Sequence, residues 1–253
     1  MSEYMEVCKL CLNKHIKLID SHIIPRAFYE SMRMASEKGQ PFLLMSNTPG
    51  THKSRSQIGI YDDQLVCCEC EKRFSKCDNY ATKFFLTESN FTPMISQNQV
   101  VGWSAEYNYE RLKFFFLTLL WRAGATNIPF FKAISLGSHL ETLRSLILAD
   151  FVGTHQDYPV FLGRYADEVG RAIIMDPHIE NRKTFDGLNF YRFYLGSGFM
   201  AYIKVDKRPF IGDFVNLFLN ENEKQLYVLS RGNFSEKKEL DVAIDILDKN
   251  QAY

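Results

Sequence analysis

The sequence predicts an α+β protein with a small metal-stapled module over residues 1–95 and a mixed α+β domain over residues 96–253. Two Cys-x-x-Cys pairs lie within the first 70 residues, and all six cysteines precede residue 78. Beyond about residue 105, runs with apolar residues at helical spacing alternate with strand-like runs. We therefore place the domain boundary between the cysteine-rich part and these later runs.

Composition indicates an ordinary globular protein. The chain has 253 residues, of which 46% are hydrophobic and 24% charged, so it can bury a sizeable core. Lysine plus arginine and aspartate plus glutamate number 30 each, which gives a net charge of zero. This balance argues against a protein that coats nucleic acid by bulk electrostatics, but it leaves room for a local basic cleft.

No targeting or membrane segment is predicted. Residues 1–7 are acidic and polar and do not form a signal peptide. The longest apolar run, residues 114–121, is far shorter than the roughly 20 residues that span a bilayer. We expect a cytoplasmic protein without a membrane partner.

Three helices and a loop are predicted in the first 125 residues. A helix should run from Pro25 to Met34, with the proline in its first turn. Residues 46–57 have the composition of an exposed loop, and residues 71–85 again have that of a helix. Residues 109–122 are apolar almost all round, which predicts a buried helix in which Trp121 and Arg122 pack.

Later residues combine helices with strands. Ser138 and Glu141 match a capping box at the start of a helix, and a closing helix is expected from Glu239. Phe190–Leu195 and Phe199–Val205 should form a hairpin around Gly196-Ser197-Gly198. Further strands are predicted over residues 158–165, 171–175 and 225–230.

The two cysteine pairs predict a structural zinc site. Zinc prefers four thiolate or imidazole ligands, and each Cys-x-x-Cys turn supplies two of them. The predicted ligands are Cys8, Cys11, Cys67 and Cys70. Four buried free thiols are the alternative. We expect the remaining cysteines, Cys68 and Cys77, not to bind the metal.

The segment between the pairs resembles a nuclease family. Cys8-Lys-Leu-Cys11, Ser21-His22-Ile-Ile-Pro25 and Cys67-Cys-Glu-Cys70-Glu71 follow in the order seen in the four-cysteine branch of the HNH, or ββα-metal, endonucleases. The resemblance covers residues 8 to about 85 and implies a ββα-metal fold for the N-terminal module.

This resemblance implies specific roles. His22 falls on the family's general base, which takes a proton from the water that attacks the phosphodiester. A single divalent ion, Mg²⁺ or Mn²⁺, would stabilise the phosphate, and Glu71 stands where the family has a metal-binding histidine. A zinc-site or core histidine that only caps a turn is the alternative role for His22.

Two further family positions differ. The metal-binding aspartate is Ser21 here, with Asp20 one position earlier, on the opposite face of a strand. The family's asparagine has no clear match, although Asp62 and Asp63 lie nearby.

The chain also resembles a group of uncharacterised bacterial proteins. They share the Ser-His-Ile-Ile-Pro segment, a second Cys-x-x-Cys followed by Glu, and a Leu-Trp-Arg-Ala helix like residues 120–123. This wider resemblance suggests phage defence or mobile-element biology, by association only.

Basic residues near the second pair are candidates for phosphate contacts. They are Lys72, Arg73 and Lys76 on the predicted helix, and Lys53 and Arg55 in the predicted loop. A solvated helix face and loop are the alternative.

The leading hypothesis is a metal-dependent endonuclease that acts on DNA. RNA remains an alternative substrate. A homodimer would allow such an enzyme to cut both strands. The rival is a catalytically inactive zinc module that binds nucleic acid or a protein partner. A third possibility assigns the main function to residues 96–253.

Overall fold

The computed structural model describes residues 6–31, 42–44, 54–56, 59–167, 174–211 and 213–233. Several predictions lie outside these ranges: most of the loop over residues 46–57, the start of the strand over 171–175, and the closing helix from Glu239.

Four helices form within the described ranges. They are α1 (Arg26–Ser31), α2 (Cys68–Leu86), α3 (Tyr109–Ala125) and α4 (His139–Leu148). All four were expected, but Pro25, which was predicted to lie in the first turn of the first helix, directly precedes α1. In α3, the Asn108 side chain accepts a hydrogen bond from the Arg111 N–H at 2.9 Å, which satisfies one of the free amides of the first turn.

The capping box predicted for α4 is wrong. Ser138 has helical dihedral angles (φ −65°, ψ −19°), whereas a capping residue is extended, and its side chain makes no capping hydrogen bond. Glu141 pairs with Arg144 instead, at 2.7 Å. An ion pair with the next turn has replaced the reciprocal cap.

Eleven strands form within the described ranges, seven of them in one sheet. The large sheet has the order β5-β6-β11-β7-β10-β9-β8, while β1 pairs with β4 and β2 with β3. The strands are β1 (Leu18–His22), β2 (Phe42–Leu44), β3 (Ser54–Ser56), β4 (Tyr61–Cys67), β5 (Thr92–Ser96), β6 (Gln99–Glu106), β7 (Val160–Arg164), β8 (His178–Ile179), β9 (Phe190–Gly196), β10 (Phe199–Lys204) and β11 (Gln225–Ser230).

The strand predictions are confirmed in large part. The predicted hairpin is β9–β10, and the strands expected near residues 158–165 and 225–230 are β7 and β11. Residues 54–56 contradict the loop prediction, because they pair with β2. The β5–β6 hairpin was not predicted; its turn residues, Gln97 and Asn98, both have positive φ (50° and 61°) without the glycine that usually signals such a turn.

The site is positioned by β1, β4 and α2. β1 and β4 are antiparallel, with a register shift between Ile19 and Ser21, and α2 begins at the residue after β4. On its buried side α2 packs against α3, so both helices share one continuous core with the large sheet. The predicted boundary at residues 95/96 falls inside β5.

The α+β class is therefore confirmed at the level of a large sheet with helices. Among the described residues, no helix is long and apolar enough to cross a membrane.

Candidate functional site

Four cysteine side chains converge beside β1, β4 and α2. The sulfur atoms of Cys8, Cys11, Cys67 and Cys70 all lie within 4.8 Å of one another. The Sγ atoms of Cys8 and Cys70 are 3.6 Å apart, far beyond the roughly 2.05 Å of a disulfide bond. This cluster, the four-cysteine site, can hold a metal ion.

Local hydrogen bonds shape both halves of the four-cysteine site. The Leu12 N–H donates to the Cys8 carbonyl at 2.8 Å, and Leu12 takes a left-handed φ of 62° that closes the first turn. Cys67 precedes α2, and Cys70 lies in its first turn. Amide N–H groups at a helix N-terminus favour negative charge, so this position suits thiolate ligands.

The thiols influence one another electrostatically. Burial opposes ionisation of Cys8, but N–H groups of Cys11 and Cys67 outweigh it and lower the pKa of Cys8 to about 7. Burial and the neighbouring Cys8 and Cys67 thiols raise the pKa of Cys70 well above its ordinary value. A bound cation would remove this conflict, because it stabilises all four thiolates together.

The two remaining cysteines lie outside the cluster. Cys68 is exposed, and the buried Cys77 thiol donates to the Phe74 carbonyl at 3.0 Å. Neither belongs to the four-cysteine site.

The first cysteine turn is tied to the second half of the chain. The Lys9 ammonium donates to the carbonyl of Ala125 at the end of α3, at 2.8 Å. The Arg144 guanidinium of α4 donates to the Leu10 carbonyl at 2.8 Å. The four-cysteine site is therefore anchored to α3 and α4.

A second polar group surrounds the end of β1. The buried Ser21 hydroxyl donates to the Glu71 carboxylate at 2.7 Å, which fixes β1 against the first turn of α2. His22 is the next residue along; it is half-buried, and its ring centroid lies 5.9 Å from that of Tyr61. The structure thus brings the predicted base and the predicted metal ligand to neighbouring elements.

Sequence reasoning missed two members of this group. Arg122 of α3 is fully buried and binds both carboxylate oxygens of Asp78, at 2.7 and 2.9 Å. The same guanidinium donates to the His22 carbonyl at 2.7 Å and lies 4.9 Å from the centre of the Phe74 ring. Asp78 follows Glu71 by seven residues, which is nearly two helical turns, so both carboxylates project from one side of α2. That spacing could have revealed Asp78.

Charges in this group are partly compensated. Burial raises the pKa of Glu71, while the Ser21 hydrogen bond and the Arg122 charge act in the opposite direction. Burial also raises the pKa of Asp78, while the Arg122 charge and, to a smaller extent, the His22 imidazole act in the opposite direction. One oxygen of Glu71 receives the Ser21 hydroxyl, and both oxygens of Asp78 are occupied by Arg122.

The nearby aspartates take different places. Asp20 is exposed and lies at the register shift of β1, whereas the next residue, Ser21, is buried. Asp62 accepts hydrogen bonds from the Thr126 hydroxyl at 2.6 Å and the Gln64 N–H at 2.8 Å, so it links β4 to the end of α3. Asp63 is exposed.

The predicted basic residues lie on another side of α2. At about 100° per residue, Lys72, Arg73 and Lys76 project between about 100° and 200° around the helix from Glu71. They line a cleft of about 1090 Å³ that also exposes part of the four-cysteine site. Lys72 pairs with Glu69 at 2.7 Å, and Arg73 pairs with Asp150 at 3.0 Å.

Lys76 is exposed on the same flank. Lys53 and the side chain of Arg55 lie outside the described residues. The structure therefore separates the basic residues of α2 from His22.

The four-cysteine site can hold a metal ion, and no second cluster of three or more His, Cys, Asp or Glu side chains with this property occurs in the described part of the chain. Comparison with known proteins gives no match to a family model, a curated protein or a solved structure.

Proposed function

We propose that this chain is an HNH-like, metal-dependent endonuclease that hydrolyses phosphodiester bonds of DNA. The observation that carries the proposal is the Ser21–Glu71 hydrogen bond of 2.7 Å. It holds the end of β1, where His22 stands, against the helix that follows the four-cysteine site. Two antiparallel strands followed by a helix also agree with the expected ββα order.

In this proposal His22 is the general base. Its half-buried ring, beside the Tyr61 ring, can accept a proton from a water molecule at the edge of β1. The Arg122 hydrogen bond to the His22 carbonyl fixes the backbone from which the imidazole projects. The Asp78 carboxylate stabilises the imidazolium that forms.

Glu71 is the proposed ligand of a catalytic divalent ion. One oxygen of its carboxylate accepts from Ser21, and no hydrogen bond to the other oxygen forms among the described residues, so that oxygen can bind a hard cation. Magnesium and manganese sites often use one or two carboxylates and take further oxygens from the substrate phosphate, which fits this donor set. Such an ion supplies charge stabilisation at the phosphate when bound.

Plasmid cleavage with Mg²⁺ or Mn²⁺ tests these roles. Wild-type protein should nick or linearise the plasmid, while His22→Ala and Glu71→Gln should lose at least about 100-fold in rate, the usual scale of general-base catalysis. His15→Asn is the matched control, because His15 is exposed and Asn tolerates its left-handed φ of 57°. Equal cleavage by wild type and His22→Ala would refute the assignment.

The substrate and setting need separate measurements. Single-stranded RNA of the same length, offered beside the DNA, distinguishes the two nucleic acids. Protection of cells against phage that depends on an intact His22 would support a role in phage defence. Light scattering with and without DNA would test whether the protein acts as a homodimer.

Zinc is the proposed ion of the four-cysteine site. A tetrahedral zinc with Zn–S bonds of about 2.3 Å requires sulfur atoms about 3.8 Å apart. The observed separations are 3.6 Å for Cys8–Cys70 and 3.9 Å for Cys11–Cys67. Protein purified without added zinc should contain about one zinc per chain.

Matched cysteine variants test this site. Cys67→Ser should lose the zinc, and Cys68→Ser, which alters the adjacent exposed thiol, should retain it. Equal metal content in the two variants would contradict the assignment of the ligands.

The rival proposal is a non-catalytic zinc module that binds nucleic acid or a protein partner. It is favoured by the Asp78 carboxylate, whose two oxygens are both bound by Arg122, and by Ser21 at the family's aspartate position. DNA binding without cleavage in any divalent ion, weakened by Lys76→Glu on the exposed flank of α2, would support this rival.

A further inference from the structure

A second cavity lies at the opposite end of α4 from the four-cysteine site. It encloses about 690 Å³ between the first turn of α4, the chain entering β7 and the chain leaving β10. This volume lies within the range of small-molecule sites, roughly 300–1,000 Å³. The residues discussed under the proposed function do not line it.

Lys204 brings a buried positive charge to the wall of this cavity. Its side chain is 3% exposed, and its ammonium donates to the carbonyl oxygens of Asp206 and Arg208. These are neutral acceptors, and no ion pair between Lys204 and a carboxylate forms among the described residues. Burial lowers the pKa of Lys204, although the nearby Asp206 charge acts in the opposite direction. An anion arriving in the cavity would therefore stabilise the buried ammonium.

A second buried lysine lies behind the same wall. Lys113 of α3 is fully buried and donates to the carbonyl oxygens of Asp157 and Tyr158. Both of those residues line the cavity. Burial lowers the pKa of Lys113 to about 7, so this lysine supports the wall without adding a full positive charge to it.

The acidic residues of the cavity are already engaged. Asp206 accepts two hydrogen bonds from the Arg208 guanidinium, at 2.7 and 3.0 Å. The Asp157 carboxylate accepts from the backbone N–H and the hydroxyl of Thr154, at 2.9 and 3.1 Å. Lys207, at the mouth of the cavity, is exposed.

The charges of the cavity also act on His139. Burial, followed by the charges of Lys207 and Lys204, lowers the pKa of its imidazole against the opposing effect of Asp206. Its Nδ1 atom lies 3.1 Å from the Tyr158 hydroxyl, so the ring is fixed at the cavity wall.

The remaining wall is aromatic. Phe210 and Phe218 both line the cavity, with ring centroids 5.4 Å apart in an edge-to-face arrangement. Phe218 also stacks on Phe190 of β9, which anchors this wall to the large sheet. A flat apolar group can pack here within reach of the lysines.

We infer that this cavity binds a small phosphate monoester, with its oxyanion at Lys204 and Lys207 and a flat apolar group against Phe210 and Phe218. Lysine ammonium groups are common phosphate ligands, and charge-assisted hydrogen bonds are about twice as strong as neutral ones. The aromatic wall favours an aromatic ester, such as a mononucleotide, over the free anion. This inference does not depend on the proposed nuclease activity.

Calorimetric titration of the full chain at low ionic strength tests the inference with three probes. Adenosine 5′-monophosphate should bind at least about tenfold more tightly than adenosine, which lacks the oxyanion. It should also bind at least about tenfold more tightly than inorganic phosphate, which lacks the aromatic group. Equal affinity for the monophosphate and adenosine would overturn the inference, as would failure of the monophosphate to bind at millimolar concentration.

Two variants locate the site. Lys207→Glu reverses an exposed charge at the mouth and should weaken monophosphate binding about tenfold or more, whereas Lys132→Glu, at an exposed lysine outside the cavity, should leave it unchanged. Lys204→Met should abolish binding. If Lys204→Met fails to fold, the comparison of Lys207→Glu with Lys132→Glu still decides, because unchanged binding in Lys207→Glu would refute the site.

Discussion

The buried ion pair between Arg122 and Asp78 allows a quantitative test of the interior. The Asp78→Asn substitution keeps the size of the side chain but removes the charge that balances a fully buried guanidinium. Removing one partner of a buried pair costs about 3–5 kcal/mol, because the other charge is left uncompensated. Arg122 retains its hydrogen bonds to the carbonyl groups of His22 and Thr118, so we expect the lower end, about 3 kcal/mol.

Urea unfolding of the metal-loaded protein, followed by circular dichroism, measures this cost. The matched control is Asp150→Asn, which breaks the ion pair between Asp150 and Arg73. This pair is exposed to solvent: the Asp150 side chain is 68% exposed and the Arg73 side chain 37%. Exposed pairs contribute about 0–1 kcal/mol, so the control should stay within that range. If the two substitutions cost the same, the reasoning from burial is wrong.

Two further predictions concern stability. Burial lowers the pKa of Lys113 to about 7, so between about pH 7 and pH 10 the unfolded chain binds one proton more than the folded one. The free energy of unfolding should therefore rise with pH across this window by about 4–5 kcal/mol, and Lys113→Met should remove the rise; parallel pH profiles of Tm in the two proteins would contradict this. At Gly102 of β6, an added Cβ would lie 2.5 Å from the Val228 carbonyl oxygen of β11, so Gly102→Ala should destabilise the sheet by about 2 kcal/mol or more, and an unchanged Tm would refute the close approach.

Local sequence signals predicted the parts of the fold that depend on short-range chemistry. The Cys-x-x-Cys turns indicated the four cysteines that lie close together, and the glycines at 196 and 198 indicated the β9–β10 turn, where both adopt positive φ. The apolar residues of α3 predicted that this helix is buried, because a helix that is apolar on all sides has no face suited to solvent.

Long-range pairings were not accessible in this way. Arg122 and Asp78 are 44 residues apart, and nothing in either local pattern indicates that the arginine of a buried helix meets that aspartate. The ordering of β5 and β6 depends on a turn through Gln97 and Asn98, whose side chains give a weak signal for positive φ. At Ser138 the predicted capping box does not form, because Glu141 pairs with Arg144 within α4.

The pairing of β1 with β4 has a consequence for how this chain can change in length. His22 and Tyr61 are register partners, so the 38 residues from 23 to 60 leave the site and return to it at adjacent positions. The four-cysteine site also brings the two ends of this segment together, because the Sγ atoms of Cys11 and Cys67 are 3.9 Å apart. Because the entropy of closing a loop grows only with the logarithm of its length, doubling such a segment costs about 0.6 kcal/mol. Insertions there can therefore lengthen the segment beside His22 while the four-cysteine site and the strand pair stay in place.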